Sequence, residues 1–248
     1  MSYLEGEVAA LHAALDHHRT EDAAKTRQLD RYAAELRATS RRERHRAREL
    51  SDSYMATVRA LSNAVEARDA YTAHHAERVA AYGIEIGAAS GLALSEQPEI
   101  EFGFLLHDVG KVGVPDAILF KPGRLDAAER EIMQRHPLIG EEIIGGIAFL
   151  GPATAVVRHH HERWDGGGYP DGLAGEQIPL AARVFALADA LDALTSDRPY
   201  RTAVGVPQAR QVLRDSPGQF DPAVLDAFEQ IPDARLQEIC RQSADEAI

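Results

Sequence analysis

Seven of the eleven histidines lie beyond residue 50, at a few points where carboxylates or glycines follow them. One run reads HHHERWDGGGYP (159–170), and another segment reads FLLHDVGKVGVP (104–115). Imidazole and carboxylate groups are common ligands of divalent transition metals, and helices can direct several of them to one point. The pattern therefore predicts a metal site. The histidines are His74, His75, His107, His136 and His159 to His161.

The apolar run before His107 predicts a helix that ends in the protein core. A carboxylate there, Asp108, would be costly to bury unless it bound a metal ion or paired with a cation. Gly110 loosens the helix end, and Lys111 follows one turn later, where its ammonium group could reach a phosphate or a leaving group. The dipeptide His-Asp alone is a weak signal, but the longer HDVGK pattern is more specific.

Several motifs in order resemble the HD-GYP family of the HD metal-dependent phosphohydrolase superfamily, whose members are cyclic di-GMP phosphodiesterases. The resemblance covers residues 69–201 and implies a helical bundle, a metal centre of two or three ions, and hydrolysis of cyclic di-GMP in bacterial signalling. The matching motifs are DAYTAHHAERV (69–79), HDVGK (107–111), KPGRL (121–125), His136, HHERWDGGGYP (160–170), ALADALDAL (186–194) and RPYR (198–201).

By position, the resemblance implies two metal ions that share Asp108 as a bridging ligand. Family members with a third ion carry a glutamate one turn before the first-helix histidine, and this chain has Tyr71 there. We therefore predict a binuclear centre. Such ligands suit iron or manganese, with zinc, nickel or magnesium as alternatives. One ion would bind His75, His107, Asp108 and Asp189, and the other would bind Asp108, His136, His160 and His161.

Successive helical residues are about 100° apart, so three adjacent histidines cannot all face one site. The register implied by the family selects His160 and His161, and it leaves His159 at the surface or behind the ligands. Asp192 lies one turn after Asp189 and is expected to support a ligand or cap a helix rather than to bind metal.

The resemblance implies an enzyme that linearises cyclic di-GMP to pGpG, with further hydrolysis to GMP left open. Asp108 would be catalytic through the metals. Lys111 is our candidate to protonate or stabilise the leaving 3′-oxygen, and the alternative is that it only pairs with Asp108 or a phosphate. Two alternatives remain: another cyclic dinucleotide as substrate, such as cyclic GMP-AMP, or a non-catalytic cyclic di-GMP receptor. Candidate substrate-binding residues are Arg183, Arg198, Arg201 and Lys121, and Arg183 could equally pair with a structural carboxylate.

The GYP loop (165–170) allows two interpretations. Its glycines permit positive φ angles and close backbone approach, Asp165 is expected to tie the loop, and Tyr169-Pro170 gives it a rigid exit. In the family this loop has been linked to recognition of a signalling partner. Alternatively, it is architectural and positions the segment that bears His160.

The elements that must position these residues are predicted to be helices, and no strand is expected. Helical spacing covers 69–90, ending before Gly91, and 99–107. Asp126 with Glu129 forms a capping box, and Pro137 marks a break or a new first turn. A buried stripe is predicted at Leu180, Val184, Leu187, Leu191 and Leu194.

The first 50 residues are predicted to form a long signalling helix ahead of a phosphodiesterase domain at 51–248. Apolar residues alternate at spacings of four and three, as in a parallel coiled-coil homodimer. The alternative is one amphipathic helix folded onto its own domain. A basic run (37–48) is interpreted as a solvated helix face. The seam comprises Leu4, Val8, Leu11, Leu15, Leu29, Tyr32 and Leu36, with His18, Asp22 and Lys25 interrupting it.

The composition limits the binding partners and the cellular location expected for the protein. The 248 residues carry a formal net charge of −12, which argues against broad nucleic-acid binding. We find no apolar run of about 20 residues and no signal peptide, so we expect no membrane insertion. With one cysteine, Cys240, we expect a reducing, cytoplasmic location.

Overall fold

The computed structural model describes residues 2–68, 74–94, 97, 99–197 and 201–245, without the side chains of 2–5 and 242–245. Within these ranges every regular element is helical, joined by turns and one isolated β-bridge between Asp165 and Ala174. Residue contacts divide the chain into two units, Met1–Tyr54 and Met55–Ile248, and the division falls inside the first helix.

Eleven α-helices are present in the described ranges, with short 3-10 turns at Val109–Gly113, Ala148–Leu150 and Gly175–Gln177. The helices are α1 (Ser2–Glu66), α2 (His75–Ala89), α3 (Glu99–Leu105), α4 (Asp116–Leu119), α5 (Ala127–Met133), α6 (His136–Gly145), α7 (Gly151–His159), α8 (Leu180–Thr195), α9 (Val206–Arg214), α10 (Pro222–Glu229) and α11 (Asp233–Asp245).

The core of the second unit forms where α2 packs on α8 and α3 packs on α7. Phe104 and Phe185 are fully buried there, with ring centroids 5.7 Å apart. Close packing depends on Gly83, because a Cβ at this position would lie 2.6 Å from the Phe104 ring. Burying a side chain of this size stabilises the fold by about 1.5–3 kcal/mol.

The predicted stripe of α8 is confirmed at its centre and is wrong at its ends. Val184, Leu187 and Leu191 are completely buried, whereas Leu180 and Leu194 are half-buried. The apolar stripe therefore extends past the part of the helix that its neighbours cover.

The helix predicted for 69–90 is shorter in the structure. It begins at His75, because His74 adopts a left-handed conformation with φ of 58° that a continuing helix cannot contain. Residues 69–73, which include Tyr71, lie outside the described residues. The helix predicted for 99–107 ends at Leu105, two residues early. His107 and Asp108 therefore lie in a turn rather than on the helix.

Three local predictions are confirmed. Gly91 follows α2 with φ of 79°, as a stop signal requires. Asp126 and Glu129 form the capping box at the start of α5. Pro137 lies in the first turn of α6, which starts at His136.

Residues 6–54 of the first unit lie within α1 and present their large apolar side chains to solvent. Leu11 is 70% exposed, and Leu36 is 71% exposed. Isolated apolar residues on a surface are common, but a repeated stripe on one helix marks an interaction surface. The other exposed members are Val8, Leu15, Leu29 and Tyr32.

Candidate metal centre

Three buried histidines share one hydrogen-bonding pattern. The Nδ1 atom of His107 lies 3.0 Å from the Phe104 carbonyl, that of His136 lies 2.8 Å from the Met133 carbonyl, and that of His160 lies 2.9 Å from the Val157 carbonyl. A carbonyl only accepts hydrogen bonds, so each Nδ1 must carry the proton. In its neutral form each ring therefore keeps its Nε2 lone pair, which could bind a metal ion, and the Nε2 atoms of His136 and His160 lie 3.2 Å apart.

Asp108 faces these rings with both carboxylate oxygens. Its Oδ1 atom lies 3.3 Å from His136 Nε2 and 4.0 Å from His160 Nε2. Its Oδ2 atom lies 3.1 Å from His107 Nε2 and 2.9 Å from Lys111 Nζ. Each oxygen thus points toward a different group of residues, which is the arrangement that a bridging carboxylate requires.

His75 opens α2 and approaches from the other side of His107, with the two ring centroids 5.4 Å apart. Its Nε2 lies 3.5 Å from Asp189 Oδ1, and its Nδ1 lies 2.8 Å from Asp192 Oδ2. Asp192 is buried and also accepts a hydrogen bond of 2.6 Å from Arg78 Nε. This confirms that Asp192 supports a histidine.

His161 completes the group around Asp108. Its ring centroid lies 4.2 Å from that of His160 and 5.1 Å from that of His136. On its other side, the Tyr169 ring is 4.7 Å away and tilted by 31°. One ligand atom each from Asp108, His136, His160 and His161 lie within 4.8 Å of one another, a spacing that could hold a metal ion.

The electrostatics keep most of these groups in the protonation states that bind metal. Burial would raise the pKa of Asp108, but His107 and Lys111 hold it well below its usual range. Burial and the charge of His136 lower the pKa of His161 to about 3, and burial with the charge of His161 holds the pKa of His160 well below its usual value. His107 differs, because attraction to Asp108 outweighs the effect of burial and raises its pKa.

Comparison with known proteins identifies the family. The model of the HD domain matches residues 59–224 of this chain. The chain belongs to the HD domain family. The resemblance inferred from the motifs and the all-α class are both confirmed.

Two curated relatives and one solved structure illustrate the HD-domain match. The chain is 41% identical over 197 residues to "Cyclic di-GMP phosphodiesterase response regulator RpfG" of Xanthomonas campestris pv. campestris, covering 78% of this chain and 52% of the relative. It is 43% identical over 169 residues to "3'3'-cGAMP-specific phosphodiesterase 2" of Vibrio cholerae serotype O1, covering 67% and 32%. The chain therefore spans about half the length or less of these relatives.

The solved structure is that of Bd1817, described as an HDG"Y"P protein from Bdellovibrio bacteriovorus. It aligns with a TM-score of 0.51 at 20% identity, covering 68% of this chain and 52% of the other. At that identity the alignment supports a common fold.

The GYP loop of this HD domain packs against the histidine cluster through the contact of Tyr169 with His161. A Cβ on Gly168 would lie 2.4 Å from the Arg163 nitrogen and 2.6 Å from the His161 carbonyl oxygen, so only glycine fits there. Asp165 ties the loop as predicted, because its Oδ1 accepts a hydrogen bond from the Gly167 nitrogen at 2.9 Å. These contacts give the glycines an architectural role.

His159 turns away from the cluster formed by Asp108, His136, His160 and His161, as the helical register predicts. Its Nδ1 lies 3.5 Å from Asp171 Oδ2 and 3.9 Å from Glu162 Oε1. Both carboxylates have other partners. Arg158 forms two hydrogen bonds of 2.8 Å to Asp171, and Glu162 accepts hydrogen bonds from the backbone nitrogens of Asp171 and Leu173, just after the GYP loop. Glu162 and Asp171 therefore organise the segment that follows the GYP loop.

Three of the four candidate substrate-binding residues have protein partners in the structure. Arg183 donates to Asp221 at 2.5 Å, the structural pairing that the sequence left open. Lys121 contacts both oxygens of Glu129, and Arg201 donates to the Ala193 carbonyl oxygen. Arg198 lies outside the described residues.

The sequence did not point to two side chains of α1 that reach the segments bearing His75 and His107. Glu66 accepts a hydrogen bond from the Ala76 nitrogen at 2.6 Å, and Ser62 donates one of 2.7 Å to the Leu105 carbonyl. Both contacts end on backbone atoms of distant segments, so the residue pattern carries no signal for them. Among the described helices, none has the length and apolar character needed to cross a membrane.

Proposed function

We propose that this HD-domain protein is a metal-dependent phosphodiesterase that hydrolyses cyclic di-GMP to pGpG, with GMP as the product of a second cleavage. The observation that carries the proposal is the position of Asp108, whose two oxygens face His107 on one side and His136 with His160 on the other. A carboxylate between two sets of imidazoles suits two adjacent cations.

The proposed ligands follow from this division. His75, His107, Asp108 and Asp189 would hold one ion, and Asp108, His136, His160 and His161 would hold the other. Bound there, two divalent ions would supply Lewis-acid activation of water and neutralise charge on the phosphate. Iron or manganese is the proposed metal, because mixed imidazole and carboxylate ligands suit both, with zinc, nickel or magnesium as alternatives.

The protein's own residues would orient the diester and manage its protons. Lys111 is the proposed proton donor to the leaving 3′-oxygen, because its ammonium group lies at the cluster and carries transferable protons. The proposed histidine ligands are not available for this role, since they would be bound to metal and the Nδ1 protons of His107, His136 and His160 are held by carbonyls.

Substrate recognition is proposed to involve Arg198 and Arg201, whose guanidinium groups suit phosphates and can stack on guanine. Lys121 and Arg183 would reach a phosphate only by giving up their ion pairs with Glu129 and Asp221. The Tyr169 edge of the loop is a candidate surface for a signalling partner.

A second candidate function is hydrolysis of a different cyclic dinucleotide. One relative of Vibrio cholerae, 43% identical over 169 residues, is named a phosphodiesterase specific for 3'3'-cGAMP. A third candidate, a non-catalytic receptor, is disfavoured because a receptor would not need the full set of seven ligand side chains.

We also propose that residues 1–50 pair two copies of the chain in a parallel coiled coil, ahead of a catalytic domain at 51–248. The support is the exposed stripe from Val8 to Leu36, whose spacings of four and three match a heptad seam. A cytoplasmic location remains a prediction from the single cysteine.

One assay tests the enzymatic proposal. The purified chain, loaded anaerobically with iron or manganese, is incubated separately with cyclic di-GMP and 3'3'-cGAMP, and the products are resolved by chromatography. The proposal is supported if the parent protein forms the linear dinucleotide and the variant Asp108→Ala does not. Tight binding without turnover under every metal would instead establish a receptor.

A further inference from the structure

The first turn of α2 lacks the usual cap. The residue before the helix, His74, provides no side-chain hydrogen bond to it, although the first amide groups of a helix have no partner within the helix. Glu66, ten residues earlier on α1, takes this role, because its Oε1 accepts a hydrogen bond of 2.6 Å from the Ala76 nitrogen.

The capped amide adjoins a proposed metal ligand. The Ala76 nitrogen belongs to the same peptide group as the carbonyl of His75, so the Glu66 carboxylate restrains the backbone that carries the His75 ring. Ala76 is itself buried, and Glu66 lines a small pocket together with His75, His107 and Asp108.

A second contact from the same face of α1 holds the neighbouring ligand segment. Ser62, one turn before Glu66 and buried, donates its hydroxyl proton to the Leu105 carbonyl, two residues before His107. The last turns of α1 thus bond to two of the three segments that bear the proposed ligands of the first metal ion.

We propose that Glu66 is a positioning residue for the metal centre: by capping α2 it sets the place of His75 relative to His107, with Ser62 fixing the other side. The inference rests on the proposed function, since it assumes that His75 binds metal. The proposed role of Glu66 depends on the length of its side chain and on its acceptor oxygen, and not on its negative charge.

Three substitutions in the 248-residue chain separate the effect of side-chain length from the effect of charge. Glu66→Gln keeps an acceptor oxygen at the same distance, Glu66→Asp keeps the charge but is one methylene shorter, and Glu66→Ala removes both. Glu49→Ala is the control, because Glu49 is exposed and lies on the same helix. Mn²⁺ affinity is measured by electron paramagnetic resonance titration, and protection of the Ala76 amide by hydrogen exchange of the metal-free protein.

Glu66→Asp and Glu66→Ala should each weaken Mn²⁺ binding by about 10-fold or more, the usual effect of losing a group that orients a ligand. They should also speed exchange of the Ala76 amide. Glu66→Gln and Glu49→Ala should stay within about threefold of the parent protein in Mn²⁺ affinity and keep that amide protected.

An equal loss of Mn²⁺ affinity in Glu66→Gln and Glu66→Ala would overturn the inference in favour of a charge effect. Unchanged Mn²⁺ affinity in Glu66→Ala and Glu66→Asp would also overturn it. If the Ala variant does not fold, the comparison of Gln with Asp decides. If the parent protein binds neither Mn²⁺ nor Fe²⁺ while Glu66 still protects the Ala76 amide, the proposed metal centre is refuted and the cap stands.

Discussion

The Nδ1 atom of His75 lies 2.8 Å from the buried carboxylate of Asp192, while its Nε2 faces Asp189 at 3.5 Å. Because a carboxylate accepts the Nδ1 proton, this pair fixes the ring with its Nε2 lone pair toward the proposed metal. The same carboxylate binds Arg78, one turn further along α2. Asp192 therefore joins α8 to the helix that carries the first ligand.

We expect Asp192→Asn to weaken metal binding by about 10- to 100-fold, because the amide can donate to Nδ1 and so favour the wrong tautomer. It should also lower the free energy of unfolding by about 3–5 kcal/mol, since Arg78 would lose its charged partner in a largely buried position. Metal titration and urea denaturation measure the two effects. Asp226→Asn, on the exposed face of α10, is the control and should change neither.

The glycine at position 168 provides a test of the architectural role of the GYP loop. A methyl group there would overlap the backbone of 161–163, so Gly168→Ala should lower the free energy of unfolding by about 1–3 kcal/mol. Gly146→Ala is the matched control, because φ is −80° and no atom lies within 4 Å of the added Cβ. Equal urea midpoints for the two variants would show that the loop tolerates a side chain at this position.

Residue types and order were enough to predict the family, the helical class and the supporting role of Asp192. They could not show the left-handed turn at His74, because that conformation depends on where α1 ends and α2 packs. They also missed Glu66, which acts through a backbone amide ten residues away, a contact that leaves no periodic signal in the sequence. The shared i−3 carbonyl bonds of His107, His136 and His160 likewise require the backbone geometry of helix ends.

Acid should destabilise the metal-free protein over a defined pH range. The pKa of His161 falls to about 3 in the folded state because of burial and the charge of His136, whereas the unfolded chain takes up the proton near pH 6.5. Between these values the unfolded state binds more protons, so stability falls as the pH falls from 6.5 toward 3. Lowering the pH from 7 to 5 should cost about 2 kcal/mol through this residue.

Urea midpoints of the chelator-treated protein at pH 7 and pH 5 measure this loss. His161→Gln removes the titrating ring and should reduce the difference between the two pH values by about 2 kcal/mol. His12→Gln, in the exposed part of α1, should leave the difference as it is. A pH difference that is unchanged in His161→Gln would contradict the neutral state of this ring.

The exposed stripe of α1 predicts self-association that a single charge can disrupt. Leu29→Asp would place a carboxylate in the apolar seam of both copies, so we expect sedimentation equilibrium to shift from dimer toward monomer. Ala34→Asp introduces the same charge on the opposite side of the helix, where the residue is also exposed, and should leave the dimer intact. A parent protein that sediments as a monomer at high concentration would remove the coiled-coil proposal.

Lys111 lies 2.9 Å from Asp108, so its contribution could be a proton to the leaving oxygen or only positive charge beside the phosphate. Lys111→Gln should lower kcat for cyclic di-GMP by about 10²- to 10⁴-fold if the proton matters, because the 3′-alkoxide is a poor leaving group. Bis(p-nitrophenyl) phosphate separates the two roles, since p-nitrophenolate leaves without protonation. If Lys111 is the acid, the variant should hydrolyse this diester at close to the parent rate. Equal losses on both substrates would assign Lys111 a purely electrostatic role, and a rise in KM alone would place it in ground-state binding.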